Sequence, residues 1–476
     1  MRKTFSLLFL AWVLAIGLSS CQSKETRLYV ATINDMHSNI DNFPMLAHVL
    51  DSLRAEHPDL LLFSAGDNRT GNPINDRCEM PARPIYELMN AVGFDLSCFG
   101  NHEWDAGVEA LRDVMTVADF PFVCANVAFD DTLQMDHAPY VIIEVNGLKI
   151  GVIGAIQLGQ NGLPDFHPNK AGGSHFLPAQ EVIPDYLFLR DECNALFLLS
   201  HCGFEEDVDL AGRFPQFDAI FGGHSHTLVD STRIFNGVMV TQAMSRVRYL
   251  TLSTFTFDEK GKMTDKYSQV IPIEESMEAK PDIKAMVDIY NNNGIFKQVM
   301  GYNDTEIVEC RECLGNFMAD AALFVSGADM AFQNHGGVRF DTLGVRPILL
   351  KDLLSLDPFN NELVGFMMTG EEIVKFLAVS FQTDHGPNFC AGCTYSYSVD
   401  DEGRMTDVEV TLANGKPLDM EAVYKVVTNS YVSAAFDFPH EDPGTDLFRT
   451  SNESLLAFIK EHPHIDYADC HRVFEK

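Results

Sequence analysis

Basic residues are scarce in this 476-residue chain: 34 Lys and Arg stand against 68 Asp and Glu, a net charge of −34 at neutral pH. A surface that acidic repels DNA, RNA and anionic head groups, which excludes nucleic acid as a partner. Long apolar runs are also missing beyond residue 18, so no later segment is apolar enough to span a bilayer. Only 21% of residues are charged and 46% are hydrophobic, a balance that argues against long disordered stretches. The length accommodates two or three domains with cores of their own. The acidity sets one constraint. An anionic substrate needs a locally positive site, built from metal ions or placed arginines.

The one apolar run lies at the N-terminus. Arg2 and Lys3 precede a stretch from Phe5 to Leu18, too short to cross a membrane stably and suited to a signal segment. The string Leu18-Ser19-Ser20-Cys21 resembles the lipobox of bacterial lipoproteins, which implies cleavage before Cys21 and a lipid on it. Ordinary secretion with an incidental cysteine is the alternative. The expectation is an exported protein, facing the periplasm or the cell surface and attached to the membrane by the lipid anchor only. Loss of Arg2 and Lys3 moves the net charge from −34 to −36.

Ten cysteines remain. Cys78, Cys98, Cys124, Cys193, Cys202 and Cys470 are scattered, and those in apolar runs read as buried thiols. Cys310/Cys313 and Cys390/Cys393 have C-x-x-C spacing. An oxidising compartment favours two local disulfides or one cross-link between the pairs over a shared structural zinc.

From Leu28 onward, short apolar runs stop abruptly at polar clusters. Leu28–Ile33 ends in Asn34-Asp35-Met36-His37, Leu60–Ala65 in Gly66-Asp67-Asn68, and Leu96–Phe99 in Gly100-Asn101-His102-Glu103. Ala195–Leu199 ends in Ser200-His201, and Ala219–Phe221 in Gly222-Gly223-His224-Ser225-His226. Helical periods fill the gaps at Phe43–Arg54, Pro84–Val92 and Val182–Leu189. Strands alternating with helices predict a layered α/β domain, whose ligands collect beyond the carboxyl ends of the strands. One such histidine means little, but five strand ends of this kind converge on one place. Asp35, His37, Asp67, Asn101, His201, His224 and His226 supply the donors that two metal ions need when a carboxylate bridges them. Imidazole and carboxylate without thiolate fit Zn, Mn or Fe and disfavour Ca or Mg alone.

These blocks, present in order over residues 25 to 273, resemble calcineurin-like metallophosphoesterases. The resemblance implies an α/β/β/α layered domain with two divalent metal ions, Zn or Mn. One ion would sit on Asp35, His37, Asp67 and His226, and the other on Asp67, Asn101, His201 and His224. It also implies that His102 faces the substrate as a catalytic residue, oriented by Asp105. A carboxylate in that position fixes the tautomer of the imidazole and favours its protonated form.

Residues 274–300 read as a helical connector and a place for a hinge. Residues 301–476 read as a separate α/β domain, with strands near Met330–Phe332, Leu363–Met368 and Val423–Val427 and helices near Gly315–Phe324 and Glu371–Phe381. Asn334-His335-Gly336-Gly337-Val338-Arg339, Asp357-Pro358-Phe359-Asn360-Asn361 and Asn429-Ser430-Tyr431 resemble the C-terminal nucleotide-binding domain of secreted bacterial 5′-nucleotidases. By that resemblance Phe359 and Tyr431 hold the base, Asn334 and Arg339 contact the nucleotide, Asp437 takes the ribose hydroxyls, and Arg311 is a further basic contact. His335 stands where a glycine is usual, and Ser433-Ala434-Ala435-Phe436 where consecutive glycines are.

The activity implied is metal-dependent hydrolysis of nucleoside 5′-monophosphates. The rivals are a relative acting on 2′,3′-cyclic nucleotides, 3′-nucleotides or nucleotide sugars, and a nucleotide-binding lipoprotein without turnover.

Overall fold

The computed structural model describes residues 25–383 and 386–476, so the expected signal segment and Cys21 lie outside the described residues. Strands are labelled β1 (Thr26–Ile33), β2 (Leu61–Ser64), β3 (Leu96–Cys98), β4 (Phe122–Val123), β5 (Tyr140–Val145), β6 (Leu148–Ile156), β7 (Ala195–His201), β8 (Ala219–Phe221), β9 (Arg233–Phe235), β10 (Val238–Thr241), β11 (Tyr249–Phe257) and β12 (Met263–Pro272). They form two six-stranded sheets, ordered β12-β11-β1-β2-β3-β4 and β9-β10-β8-β7-β6-β5. Within them β1, β2 and β3 run parallel, as do β6, β7, β8 and β10, so the carboxyl ends of each set point the same way.

The sheets pack face to face. Leu28, Val30, Phe63 and Leu96 from the first interlock with Val152, Phe197, Leu199 and Phe221 from the second. The intervening residues of the same strands bury the other faces: Ala31, Ile33 and Leu62 pack against helices on one side, and Leu196, Leu198 and Ile220 on the other. Strands buried on both faces read as unbroken apolar runs, which is why these strands stand out in the sequence. The result is the expected helix–sheet–sheet–helix layering. Replacing a central ring such as Phe197 by Ala costs about 3–5 kcal/mol.

Two elements differ from expectation. The helix read at Val182–Leu189 is broken into Ala179–Val182, a 3-10 turn Ile183–Tyr186 and Leu189–Glu192. Pro184 lacks the N–H needed to continue the first turn. The connector helix, Pro281–Asn291, is docked on the first domain. Its Ile283 and Val287 join the core that holds Leu46 and Ile85, and Lys280 N donates to Pro44 O at 2.9 Å. Any swivel between domains therefore lies after Asn291.

The second domain centres on a five-stranded sheet ordered Phe389–Ala391, Met330–Gln333, Val423–Asn429, Glu362–Thr369 and Thr445–Thr450. Its helices Arg311–Ser326 and Gly370–Thr383 match the predicted ones with longer ends. Met330–Gln333 and Val423–Asn429 are parallel, so Asn334 and Ser430-Tyr431 emerge from the same edge. Of the two C-x-x-C pairs only Cys310–Cys313 is bonded, while Cys390 and Cys393 are buried free thiols. The second disulfide and the cross-link are not formed. Cys98, Cys124, Cys193 and Cys202 are buried as expected.

Candidate active site

All seven predicted ligands meet at the carboxyl ends of β1, β2, β3, β7 and β8. The Nε2 atoms of His37 and His226 lie 2.8 Å apart, and His226 Nε2 is 3.4 Å from Asp35 Oδ1. His201 Nε2 is 3.2 Å from Asp67 Oδ2 and 3.3 Å from Asn101 Oδ1, and His224 Nδ1 is 3.0 Å from the same Asn101 oxygen. Backbone carbonyls orient the rings from behind: Ala65 O takes His201 Nδ1 at 2.6 Å and Thr70 O takes His37 Nδ1 at 3.2 Å. Each Nε2 is left facing inward, the orientation a metal ligand requires.

The backbone is strained to achieve this. Asp35, His37, Asp67, His224 and His226 all have positive φ, between 47° and 77°. Such conformations cost roughly 1 kcal/mol or more per residue and persist only where the surroundings enforce them. Here they do: Asp35 N donates to Gly66 O and His37 N to Asp67 O, both at 3.0 Å. Two glycines permit the crossing. A Cβ on Gly100 would lie 2.2 Å from Asp67 Oδ1, and one on Gly66 2.6 Å from Gly100 N.

The electrostatics fit a cation pair. Asp35, Asp67 and His201 bring ligand atoms within 4.8 Å of one another, as do Asp35, His37 and His226. Burial, with Arg339 and His226 adding to it, holds the His37 imidazole far below its usual range and hence neutral. Burial also opposes charge on His201, yet Asp67 and then Asp35 raise it to about 10. A site that pulls a proton onto a buried imidazole is one short of positive charge. Four imidazoles, two carboxylates and an amide oxygen, all converging, fit two divalent ions.

His102 stands beside this cluster. Its Nδ1 is 2.8 Å from Asp105 Oδ2, and Thr70 Oγ1 donates to the same oxygen at 2.6 Å. Burial disfavours a charge there, but Asp67 and then Asp105 more than offset it, so the imidazole favours its protonated form. The His102 ring stacks on Phe359 of the second domain at 5.7 Å between centroids.

Both domains line one cavity of about 370 Å³. The first contributes His102, Asp105, His224 and His226, and the second Asn334, Arg339, Phe359 and Tyr431. The Arg339 guanidinium reaches across the interface to within 3.3 Å of His37 and lies 5.6 Å from the Phe359 ring. Arg246, behind it, donates to Arg339 O, and burial followed by the charge of Arg339 lowers it to about 10. The acidic chain thus gathers arginines where its domains meet.

The calcineurin-like phosphoesterase family matches residues 28–228, and the 5′-nucleotidase C-terminal domain family matches residues 292–438. The chain is a calcineurin-like phosphoesterase domain followed by a 5′-nucleotidase C-terminal domain. Among relatives, it is 28% identical to the trifunctional nucleotide phosphoesterase protein YfkN of Bacillus subtilis, over 91% of this chain and 34% of that one. The chain thus spans about a third of that relative. It is 26% identical to protein UshA of Yersinia enterocolitica over 86% of this chain and 84% of that protein. Identity to a 5′-nucleotidase of Vibrio cholerae is also 26%, over 87% and 86%. The crystal structure of a 5′-nucleotidase precursor from Thermus thermophilus has the same fold, with a TM-score of 0.85, 24% identity, and 94% and 99% coverage. This phosphoesterase family implies divalent metal ions, in keeping with the donor set above.

Against the family pattern, two expected residues stand apart from the cavity. Asp437 is exposed and is not among its lining residues, and Arg311 contacts His335 Nδ1 at 3.4 Å instead of lining it. Other residues escaped the sequence reading. Glu103 accepts three backbone N–H bonds, from Gly100 and Asp67 on Oε2 at 2.6 and 3.0 Å and from Asn68 on Oε1 at 2.9 Å. It therefore ties the loop after β2 to the loop after β3. Its place inside the Gly100–Glu103 block was the available signal. Asp165, Phe166 and His167 come from a long loop with no strand-end pattern, and Arg69 from the turn after Asp67.

Proposed function

We propose that this protein hydrolyses nucleoside 5′-monophosphates to nucleoside and phosphate, with two divalent ions, Zn or Mn, as cofactors. The observation that carries the reading is the shared cavity, in which the Asp/His cluster and His102 face Arg339, Phe359 and Tyr431. Its volume suits a ligand of nucleotide size. Asp35, His37, Asp67 and His226 would hold one ion and Asp67, Asn101, His201 and His224 the other. Such a pair supplies charge neutralisation for a phosphoryl group and activates water at neutral pH.

The remaining chemistry belongs to the chain. Asp105 keeps the proton on His102 Nδ1, which leaves Nε2 to donate a proton to the departing ester oxygen. Arg339 adds a fixed guanidinium against the anion. Phe359 and Tyr431 offer apolar faces to a base, worth ~1–3 kcal/mol for each base stacked. The His102–Asp105 pair speaks against a mere binder, which has no use for a protonated imidazole at the metal cluster.

One placement favours a second reading, a phosphoester whose ribose 2′ and 3′ hydroxyls are blocked or unread, such as a 2′,3′-cyclic nucleotide: Asp437 stands outside the cavity. Product analysis with 5′-AMP, 3′-AMP and 2′,3′-cyclic AMP, reading free phosphate from the two monoesters and ring-opened 2′- or 3′-AMP from the cyclic diester, on the purified protein chelated and then given Zn or Mn, separates them. Metal-dependent phosphate release from the 5′ isomer alone supports the proposal, ring opening of the cyclic ester without phosphate release from 5′-AMP supports the second reading, and binding without turnover of any supports a binder. Among the described residues no helix is long and apolar enough to cross a membrane. Attachment through a lipid on Cys21 rests on the Leu18–Cys21 string, and Cys21→Ser should release the protein from membranes.

A further inference from the structure

Arg69 lies two residues beyond the bridging carboxylate Asp67, on a turn clamped from both sides. Ser38 N donates to Asn68 O at 3.0 Å, and Thr70 N and Gly71 N donate to Asp76 at 3.1 and 2.8 Å. Arg69 is only 3% exposed and lines the same cavity as His102, Asp105 and Phe359. Its Nε and Nη1 are buried and have no hydrogen-bond partner among the described residues.

That is an anomaly in a chain with 68 carboxylates. A guanidinium cannot shed its proton, and burying one unpaired is strongly unfavourable. Two carboxylates that line the same cavity are already engaged. Asp76 accepts from Thr70, Gly71 and Asn72 backbone N–H groups and from Ser38 Oγ. Asp105 serves His102 and Thr70. A structural arginine would be paired with one of these. Arg69 is instead a free fork of donors held rigidly at the cavity wall, and Arg339, entering from the other domain, likewise has a buried Nε without a partner among the described residues.

We propose that Arg69 is a substrate-contacting residue that binds the phosphoryl oxygens, on the metal side of the cavity. The planar fork matches two phosphate oxygens, which a lysine cannot do. The assignment rests on the phosphoesterase reading of the cavity and adds to it a contact independent of base or ribose. It predicts that inorganic phosphate, the reaction product, is held by Arg69 as well.

The test is titration calorimetry of the metal-loaded full chain with inorganic phosphate, for wild type, Arg69→Gln and Arg69→Lys. Metal content and unfolding midpoint are measured on the same samples. Arg69→Gln should weaken phosphate binding roughly 10- to 100-fold, with ions and midpoint kept. Arg69→Lys should fall between that variant and wild type. Unchanged phosphate affinity in Arg69→Gln would overturn the assignment. If Arg69→Gln loses its ions or fails to fold, Arg69→Lys decides: weaker phosphate binding with ions retained supports the contact, and wild-type binding overturns it. Failure of the nucleotidase reading would appear separately, as no phosphate release from any nucleotide by the wild type.

Discussion

Replacing Glu103 by Gln tests whether one carboxylate holds together the two loops that carry Asp67 and Asn101. The structure fixes the magnitude. Glu103 accepts N–H bonds from Asp67, Asn68 and Gly100 and is fully buried. Burial and the charge of Asp67 push its carboxyl up to about 7, whereas three donors divided over both oxygens favour the carboxylate. Glutamine keeps a single acceptor oxygen. Placed where Oε2 sits, that oxygen retains Asp67 and Gly100 as neutral bonds, while Asn68 N–H is left facing an amide NH₂. Losing the charge on two bonds costs ~0.5–1.5 kcal/mol each, and one unsatisfied buried N–H costs ~1–3 kcal/mol. The expected loss is about 3 kcal/mol, read by urea unfolding of the chelated protein so that metal binding does not mask it. The same loops carry Asp67 and Asn101, so metal affinity in a competition titration should fall roughly 10- to 100-fold. A variant within about 0.5 kcal/mol of wild type, with normal metal affinity, would refute the reasoning, since that is the size of an ordinary surface change.

Three further outcomes follow from the site. His102→Ala should lower kcat by roughly 10²–10⁴-fold with little change in KM, and Asp105→Asn should lower it less because Asn still accepts from Nδ1; equal losses would mean that the charge of Asp105 is the whole effect. Phe359→Ala should raise KM for a nucleotide about tenfold while leaving KM for a small aryl phosphate nearly unchanged, and a parallel rise in both would deny it a base-stacking role. His335 is held at about 4 by burial and then by Arg311. Its unfolded value is ~6.5, so the unfolded chain binds more protons between pH 4 and 6.5; the neutral ring's contribution is complete above that window and falls away as pH drops through it, by roughly 3 kcal/mol in all. His335→Asn should therefore lose less stability than wild type between pH 7.5 and 4.5, and identical pH profiles from thermal unfolding would count against this.

The Asp/His cluster was legible because each of its residues is announced locally. A strand buried on both faces must be apolar throughout, so the residue at which it stops is visible, and the polar block that follows has only one place to go. The docked aromatic was legible for the opposite reason: Phe359 sits in a loop whose polar neighbours give it no core to join. Where local pattern misled, tertiary chemistry had intervened. Pro184 cut a helix whose apolar period continued through it, and only one C-x-x-C pair closed, although both have the same spacing.

Glu103 and Arg69 show what spacing alone does not reveal. An acid and a base next to the Asp/His cluster look like ordinary solvated residues until the loops fold over them. Glu103 then becomes the partner of three N–H groups that no strand or helix satisfies, and Arg69 becomes a cation that no carboxylate satisfies. The contrast between the two is physical. A buried acid whose lone pairs are filled by the backbone has its purpose inside the fold, whereas a buried base with idle donors has it outside. The net charge of −34 sharpens the point. In a chain this acidic a carboxylate for Arg69 was abundantly available, so leaving it unpaired at the cavity wall is the feature that most needs an anion to explain it.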